Sequence, residues 1–267
     1  MILLIDAGNT RIKIGWLDSA SGRREKVALA LRHADMAELR SWANQLESAP
    51  LAAIGVNVAG PDVGRSLAET LRRDHSLEIR WVESRRMAGG VRNAYEDAGQ
   101  LGADRWVSMI GLARHTDDAA MLATFGTATT LDTLGPRNAP DGVRLFHGGL
   151  ILPGPELMRT SLAAGTANLP EGKGVAVAFP THTHRAIATG IAAAQAGAVL
   201  RQWREGLEIF GTPPVVYSTG GGWNIVEAEV QRLLARSRND LGFKSEPIRW
   251  LHSPVLDGLA RLAAELL

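Results

Sequence analysis

The sequence predicts an α/β protein made of two similar domains, and two observations predict it. The chain opens ILLID (Ile2 to Asp6), turns through Gly8, Asn9 and Thr10, and returns as RIKIGWLD. About 120 residues further on, AAMLATFG followed by TATTLDTL repeats that design of buried strand, glycine turn and return strand. In both halves the strand pair comes before the helical patterns, the order of an α/β unit. A repeat of this length exceeds a solenoid unit and reads as a duplicated domain. The expected boundary falls near Asp117, giving domains 1–117 and 118–267 with a cleft between them.

In order along the chain, ILLID is a strand by composition and Gly8-Asn9 is a hairpin signal. RIKIGWLD alternates, with Ile12, Ile14 and Trp16 on one face. Asp35 with Glu38 three residues on predicts an N-cap and capping box, opening a helix to about Ser48. LAAIGVNVAG is a buried strand, and Pro61 sits near the start of the amphipathic helix PDVGRSLAETLRRDH. LEIRWVES is a strand, GGVRNAYEDAGQLGADRW is polar and glycine-rich, and WVSMIGLARH is helical. The second half continues with the strands AAMLATFG, TATTLDTL and VRLFHGGLILPG, then the helix PELMRTSLAAGT. A long helix from THTHRAIATG to LEIF, the strand PPVVYSTGGG, and the amphipathic helices VEAEVQRLLARS and VLDGLARLAAELL complete it. The last helix has the pattern to pack back on the first domain.

Composition excludes several functions. The 267 residues are 45% apolar, enough for a core, and Lys plus Arg (29) nearly balance Asp plus Glu (28). A net charge of +1 leaves no electrostatic footprint for nucleic acid or an anionic membrane. With no cysteine, disulfides and thiolate metal sites are out. No apolar run approaches the ~20 residues of a membrane span. The apolar start meets Asp6 too soon for a signal-peptide core, so the expectation is a soluble cytoplasmic protein.

The turns carry the chemistry. Successive N–H groups across Gly8-Asn9-Thr10 can form a concavity for phosphate oxygens. Thr10 adds a hydroxyl and Lys13 a point charge. Asp6 can hold Mg²⁺ directly or through water. The competing reading is an ordinary hairpin, since Asp, Gly and Asn are common turn residues. A second turn, Gly126-Thr127-Ala128, offers N–H groups and hydroxyls without charge, and two such turns would grip a triphosphate from both sides. Ser218-Thr219-Gly220-Gly221-Gly222 is a third glycine turn, open to a flat group such as a nucleoside. Gly102-Ala103-Asp104-Arg105 stands at a helix start. Its carboxylate suits a general base and its guanidinium a bidentate carboxylate clamp; the alternative is an Asp N-cap beside a surface Arg.

Taken together, DAGNTRIK (Asp6 to Lys13), Tyr95 with GADR, FGTATTLD, GGLILPG, LAAGTANLP, the Thr-rich entry to the long helix and STGG resemble the type III pantothenate kinase family. This family, also labelled Bvg accessory factor, lies within the acetate and sugar kinase/Hsp70/actin superfamily. The resemblance implies duplicated ribonuclease-H-like domains of the actin-like ATPase type. It also implies ATP-dependent phosphorylation of pantothenate to 4'-phosphopantothenate, the first step of coenzyme A synthesis. By the same resemblance Asp6, Ala7, Gly8, Asn9, Thr10, Arg11, Ile12 and Lys13 form the first ATP grip, with Asp6 on Mg²⁺. Gly126, Thr127, Gly220 and Gly221 complete the ATP side, and Asp104 is the base. Tyr95, Gly102, Ala103, Asp104 and Arg105 line the pantothenate pocket, joined by Thr183 (or Thr181) from the partner subunit of a homodimer.

Thr124 stands where many relatives carry an Asp that helps hold K⁺ or NH₄⁺. A hydroxyl brings no charge, so the expectation is a lost, weakened or rebuilt monovalent-cation site, with Asp132 on the return strand read as structural. Small residues from Gly190 to Ala198 allow close helix packing, either within the core or across a dimer. His182 and His184 form an H-x-H pair with no further ligand at zinc spacing and read as helix-start histidines. Two rival functions stand beside the kinase: an inactive nucleotide- or pantothenate-binding accessory protein, and a kinase of another small hydroxyl substrate on the same fold.

Overall fold

The computed structural model describes residues 1–137 and 141–266. These form two compact units. The first holds Met1–Asp117 together with residues 141–146 and 253–266; the second holds Asp118–Arg137 and His147–His252.

The first unit begins with β1 (Ile2–Ala7) and β2 (Ile12–Leu17), then β3 (Leu29–Leu31), helix α1 (Ala37–Ala43), β4 (Ala52–Asn57), α2 (Pro61–His75) and β5 (Ile79–Trp81). A short hairpin, β6 (Met87–Ala88) and β7 (Val91–Asn93), leads to α3 (Ala103–Leu112). Its sheet has the order β3-β2-β1-β4-β5, antiparallel on the β2 and β3 side and parallel on the β4 and β5 side. Leu3, Leu4 and Ile5 of the central strand are fully buried, the expected fate of a strand covered on both faces.

The second unit repeats this. It contains β8 (Ala120–Phe125), β9 (Ala128–Leu134), β10 (Arg144–Pro153), α4 (Pro155–Ala164), α5 (Thr183–Phe210), β11 (Val215–Thr219), α6 (Trp223–Asp240) and β12 (Arg249–Trp250). The strand order β12-β11-β8-β9-β10 matches the first unit, with β8 in the place of β1 and β9 in that of β2. The first residues of β10, Arg144–Phe146, belong to the first unit and pair in parallel with β7. Met121, Ala123, Phe125, Val199, Trp203 and Val230 centre the second core.

The final helix, α7 (Pro254–Leu266), packs on α3 and β1 in the first unit. Leu267, the end of the predicted helix, lies outside the described residues. Two glycines allow the α3–α7 approach. A Cβ on Gly111 would meet the Pro254 carbonyl oxygen at 2.1 Å, and one on Gly258 would meet that of Val107 at 2.0 Å.

The predicted helix from Asp35 to Ser48 needs correction. Arg32 takes the Asp35 carboxylate at 2.6 Å, so it caps nothing. His33–Asp35 forms a 3₁₀ turn, and α1 starts only after Met36, which gives no side-chain cap, and ends at Ala43. The glycine-rich stretch before Tyr95 also holds more order than its composition suggests. Gly89 and Gly90 both have positive φ (58° and 78°), as a two-residue type I′ hairpin requires.

Gly258→Ala should therefore cost about 1–3 kcal/mol, because the added methyl meets main chain that cannot rotate away. Urea unfolding of the variant beside the parent measures it; an unchanged midpoint would mean that α3 and α7 separate at little cost.

Candidate active site

In the first unit, Asp6 is the penultimate residue of β1 and faces Lys13 across the antiparallel ladder. Directly opposed residues point to the same side of a sheet, so a carboxylate and an ammonium leave the core edge together. Ala7 pairs with Ile12, and Gly8, Asn9, Thr10 and Arg11 form the turn between them. The turn closes through the Gly8 N–H, which donates to the Arg11 carbonyl at 3.1 Å. Neither Gly8 nor Asn9 has positive φ, so this wider turn replaces the two-residue hairpin expected there. Asn9, Thr10 and Arg11 are exposed, whereas Ala7 and Ile12 are buried and anchor the turn.

The Asp6 carboxyl is enclosed although the residue keeps some surface. Burial pushes its pKa up to about 6; Lys13 opposes the rise and the negative charge of Asp104 adds to it. Two carboxylates that feel each other are a donor set suited to a hard cation. Among the described residues no cluster of three acidic or histidine side chains forms a full metal cage. Mg²⁺ keeps several waters and binds through one or two carboxylates plus phosphate oxygens.

Asp104 and Arg105 lie in the first turn of α3. The N-cap is Gly102, not Asp104, and a Cβ there would come within 2.8 Å of Asp104 Oδ1. The carboxylate oxygen instead accepts the Arg105 N–H at 2.8 Å, at the positive end of the helix. Arg105 is only 7% exposed, so it is no surface arginine. Its Nη1 donates to Tyr95 Oη at 2.9 Å, and Tyr95 stacks on Phe146 with centroids 6.0 Å apart. Tyr95, Gly102, Ala103, Asp104 and Arg105 thus come together as one neighbourhood, and the Asp104 charge reaches Asp6.

The second unit brings its two predicted turns together. Gly126 and Thr127 join β8 to β9, and Gly220 has φ 97° because its α-carbon lies against the Phe125 main chain, where a Cβ would meet the carbonyl oxygen at 2.4 Å. Gly222 N–H donates to that carbonyl at 2.9 Å, which docks the start of α6 beside the turn. Gly154 closes the other side: its N–H donates to the Thr127 carbonyl, and any side chain would strike Gly126 and Thr127. Gly221 is exposed and meets nothing within 4 Å.

Thr124 occupies the place in β8 that Asp6 occupies in β1, with Thr130 and Thr219 as its two cross-strand neighbours. The position equivalent to a carboxylate–lysine pair is thus a row of three hydroxyls. Asp132 is buried in β9 with its carboxylate against Gly149. Thr183 opens α5 and lines a cavity of about 570 Å³ with Met158, Ser161, Leu162, Leu169, Ile187 and Ile191; Thr181 does not line it. His182 caps α5 by accepting the His184 N–H, and His184 bonds the Glu171 carbonyl at 2.8 Å. One contact escapes the sequence: His33 Nε2 donates to the Gly8 carbonyl at 2.9 Å, and no local pattern links residues 25 apart.

The chain is thus a duplicated strand-turn-strand α/β protein, with a carboxylate–lysine pair in one copy and glycine-shaped turns in the other. A structure from Sinorhizobium meliloti, provisionally assigned as a 2-dehydro-3-deoxygalactonokinase, shares the fold at TM-score 0.52 and 17% identity, covering 100% of this chain and 99% of that one. An ethanolamine utilization protein from Carboxydothermus hydrogenoformans does so at TM-score 0.50 and 13% identity, covering 98% and 88%. Residues 2–205 match the family model for type III pantothenate kinase. Type III pantothenate kinases of Bordetella petrii and Bordetella pertussis are 50% and 48% identical to the chain, each alignment covering 99% of it and 98% of the relative. The chain belongs to the type III pantothenate kinase family, whose members phosphorylate pantothenate with ATP.

The raised pKa of Asp6 ties stability to pH. An unfolded Asp ionises near 3.8 and the folded one near 6, so the folded state pays for the charge as pH rises through that window. Without divalent metal, Asp6→Asn should melt higher than the parent at pH 8, with the gap closing below pH 4. Equal melting temperatures at pH 8 would contradict the burial of this charge.

Proposed function

We propose that this chain transfers the γ-phosphoryl group of ATP to the primary hydroxyl of pantothenate, using one carboxylate for each substrate. The observation that carries this reading is the pairing of Asp6 with Lys13 beside the glycine turn, together with Asp104 and a nearly buried Arg105 in the first turn of α3. Asp104 orients the hydroxyl and accepts its proton as the oxygen bonds to phosphorus and ADP departs. Arg105 holds the pantothenate carboxylate, steadied by Tyr95. Gly102 and Ala103 let the substrate approach the helix start. Residues Asp6 to Lys13 and the Gly126-Thr127 turn are read as phosphate contacts, with Lys13 offsetting phosphate charge, and Gly220 and Gly221 leave room for the nucleoside. Mg²⁺ at Asp6 would neutralise phosphate charge when bound.

The domain reading remains 1–117 and 118–267, two ribonuclease-H-like domains with the last helix returning to the first. Exposure on α5 supports a homodimer. Ala192 and Ala196 are buried in the unit's core, whereas Ala186, Gly190, Ala193, Ala194 and Gly197 form an exposed strip of small residues. Phe179, 91% exposed, and Val175, 75%, precede that helix. Thr183 would then meet the pantothenate of the partner subunit. Among the described residues no helix is long and apolar enough to cross a membrane. The hydroxyl row at Thr124 supports a phosphate grip that needs no K⁺ or NH₄⁺.

Two measurements test this. In coupled assays of ADP release, pantothenate with ATP and Mg²⁺ should turn over, and Asp104→Asn should lower kcat about 10²–10⁴-fold. Pantothenate binding without turnover by the parent protein would favour the accessory-protein reading instead. Replacing K⁺ and NH₄⁺ with a bulky organic cation should leave the rate within about twofold, since hydroxyls alone hold such ions weakly. A strict K⁺ requirement, with the K⁺-activated rate lost in Thr124→Val, would overturn the cation reading.

A further inference from the structure

We infer that Arg86 is a positioning residue for the acceptor pocket, acting through Tyr95 on Arg105. The inference rests on the reading of Arg105 as the carboxylate clamp.

The Arg86 guanidinium donates to three main-chain carbonyls of one loop. Nη1 reaches Asn93 O at 3.1 Å and Tyr95 O at 2.6 Å, and Nη2 reaches Glu96 O at 2.9 Å. A planar, permanently charged fork with several fixed donors can hold three carbonyls at once, which a lysine cannot do with the same geometry. Arg86 stands where it does because of the Gly89-Gly90 turn. The hairpin pairs Met87 with Arg92 and Ala88 with Val91, and the Asn93 N–H then donates to the Arg86 carbonyl at 2.9 Å. The loop therefore begins opposite Arg86 and curls back over its side chain.

From the opposite side Asn93, 1% exposed, completes the lock. Its Oδ1 accepts the Tyr95 N–H at 3.0 Å and its Nδ2 donates to the Ala98 carbonyl at 3.3 Å. Between these two side chains the Tyr95 main chain is held at both its N–H and its carbonyl. The ring lies stacked on Phe146, with its hydroxyl on Arg105 Nη1. Arg105 sits nearly buried, with its guanidinium carbon 5.9 Å from the Tyr95 ring centre. A clamp built on a side chain with many rotamers is only as accurate as the groups that fix it. Arg86 itself is exposed, so water can take over the three carbonyls when the guanidinium goes. The loss falls on the accuracy of the loop, with the fold intact.

The test is the kinetics of Arg86→Met, which keeps the aliphatic stem and removes the donors, on pantothenate and on pantothenyl alcohol, where a hydroxymethyl group replaces the carboxylate. The KM for pantothenate should rise about tenfold, the loss of a few hydrogen bonds' worth of ordering, with kcat and the KM for ATP within about twofold. With pantothenyl alcohol the two proteins should have matching KM values, and Arg86→Lys should recover part of the loss on pantothenate. If Arg86→Met does not fold by thermal melting, Arg86→Lys carries the same comparison. A penalty of equal size on both substrates, or one that falls on ATP, overturns the inference, as does an unaltered KM in a parent protein that prefers the carboxylate. A parent that handles both substrates with the same KM overturns the Arg105 reading, and this inference with it.

Discussion

One opposed pair, Asp6 and Lys13, governs the first unit. A charge at the end of a fully buried strand is costly, and burial raises the Asp6 pKa in spite of the lysine beside it. The position is tolerable because the register of β1 and β2 puts the ammonium on the same side, and because the turn beyond opens to solvent. That register depends in turn on Ile12 and Ile14 facing the core, since a slip of one residue would turn Lys13 inward. The hydrophobic pattern of the hairpin and its chemistry are therefore a single constraint.

Duplication gives the protein a second copy of this geometry without its charges. In β8 the equivalent place is Thr124, flanked by Thr130 and Thr219. With no charge to seat, the second turn is shaped by close main-chain approach. Gly154 and Gly220 crowd the Phe125–Thr127 backbone at distances a side chain would forbid. One copy closes its turn with the Gly8 N–H on the Arg11 carbonyl beside an opposed carboxylate and lysine, the other through missing side chains. Hydrogen-bond donors from a rigid main chain need no reorganisation when an anion arrives, which is the property a phosphate grip requires.

Much of this was legible in the sequence because it is written locally. Strand periodicity, the glycine turns and Pro61 at the start of α2 each act within a few residues, so ILLID and AAMLATFG point to the same architecture as the observed sheets. The duplicated fold and the family follow from ordered motifs. Asp35 misled because a capping box can be read from residue types, whereas the competing pairing with Arg32 lies on the other side of the presumed cap. The Gly89-Gly90 signal was present, but β6 and β7 are too short for periodicity to display. His33 on Gly8 and Gly154 on Thr127 are contacts between distant segments, and a single sequence carries no trace of such distances.

The two halves of the proposed site then place different demands on the chain. The phosphate turns depend on backbone path, so the residues that matter there are those whose side chains are absent, and most substitutions act by collision. The acceptor pocket depends on a relay of side chains, from Asn93 through Tyr95 to Arg105, in which each group is placed by the one before it. Backbone-defined recognition suits a ligand common to many kinases, because it reads phosphate oxygens that every nucleoside triphosphate carries. Side-chain relays suit the variable ligand, since moving a guanidinium by an ångström changes which carboxylate it can reach. On this argument the choice of acceptor is concentrated in the segment around Tyr95 and the first turn of α3, and the strand-turn-strand repeats are the part of the machine that other acceptors could share.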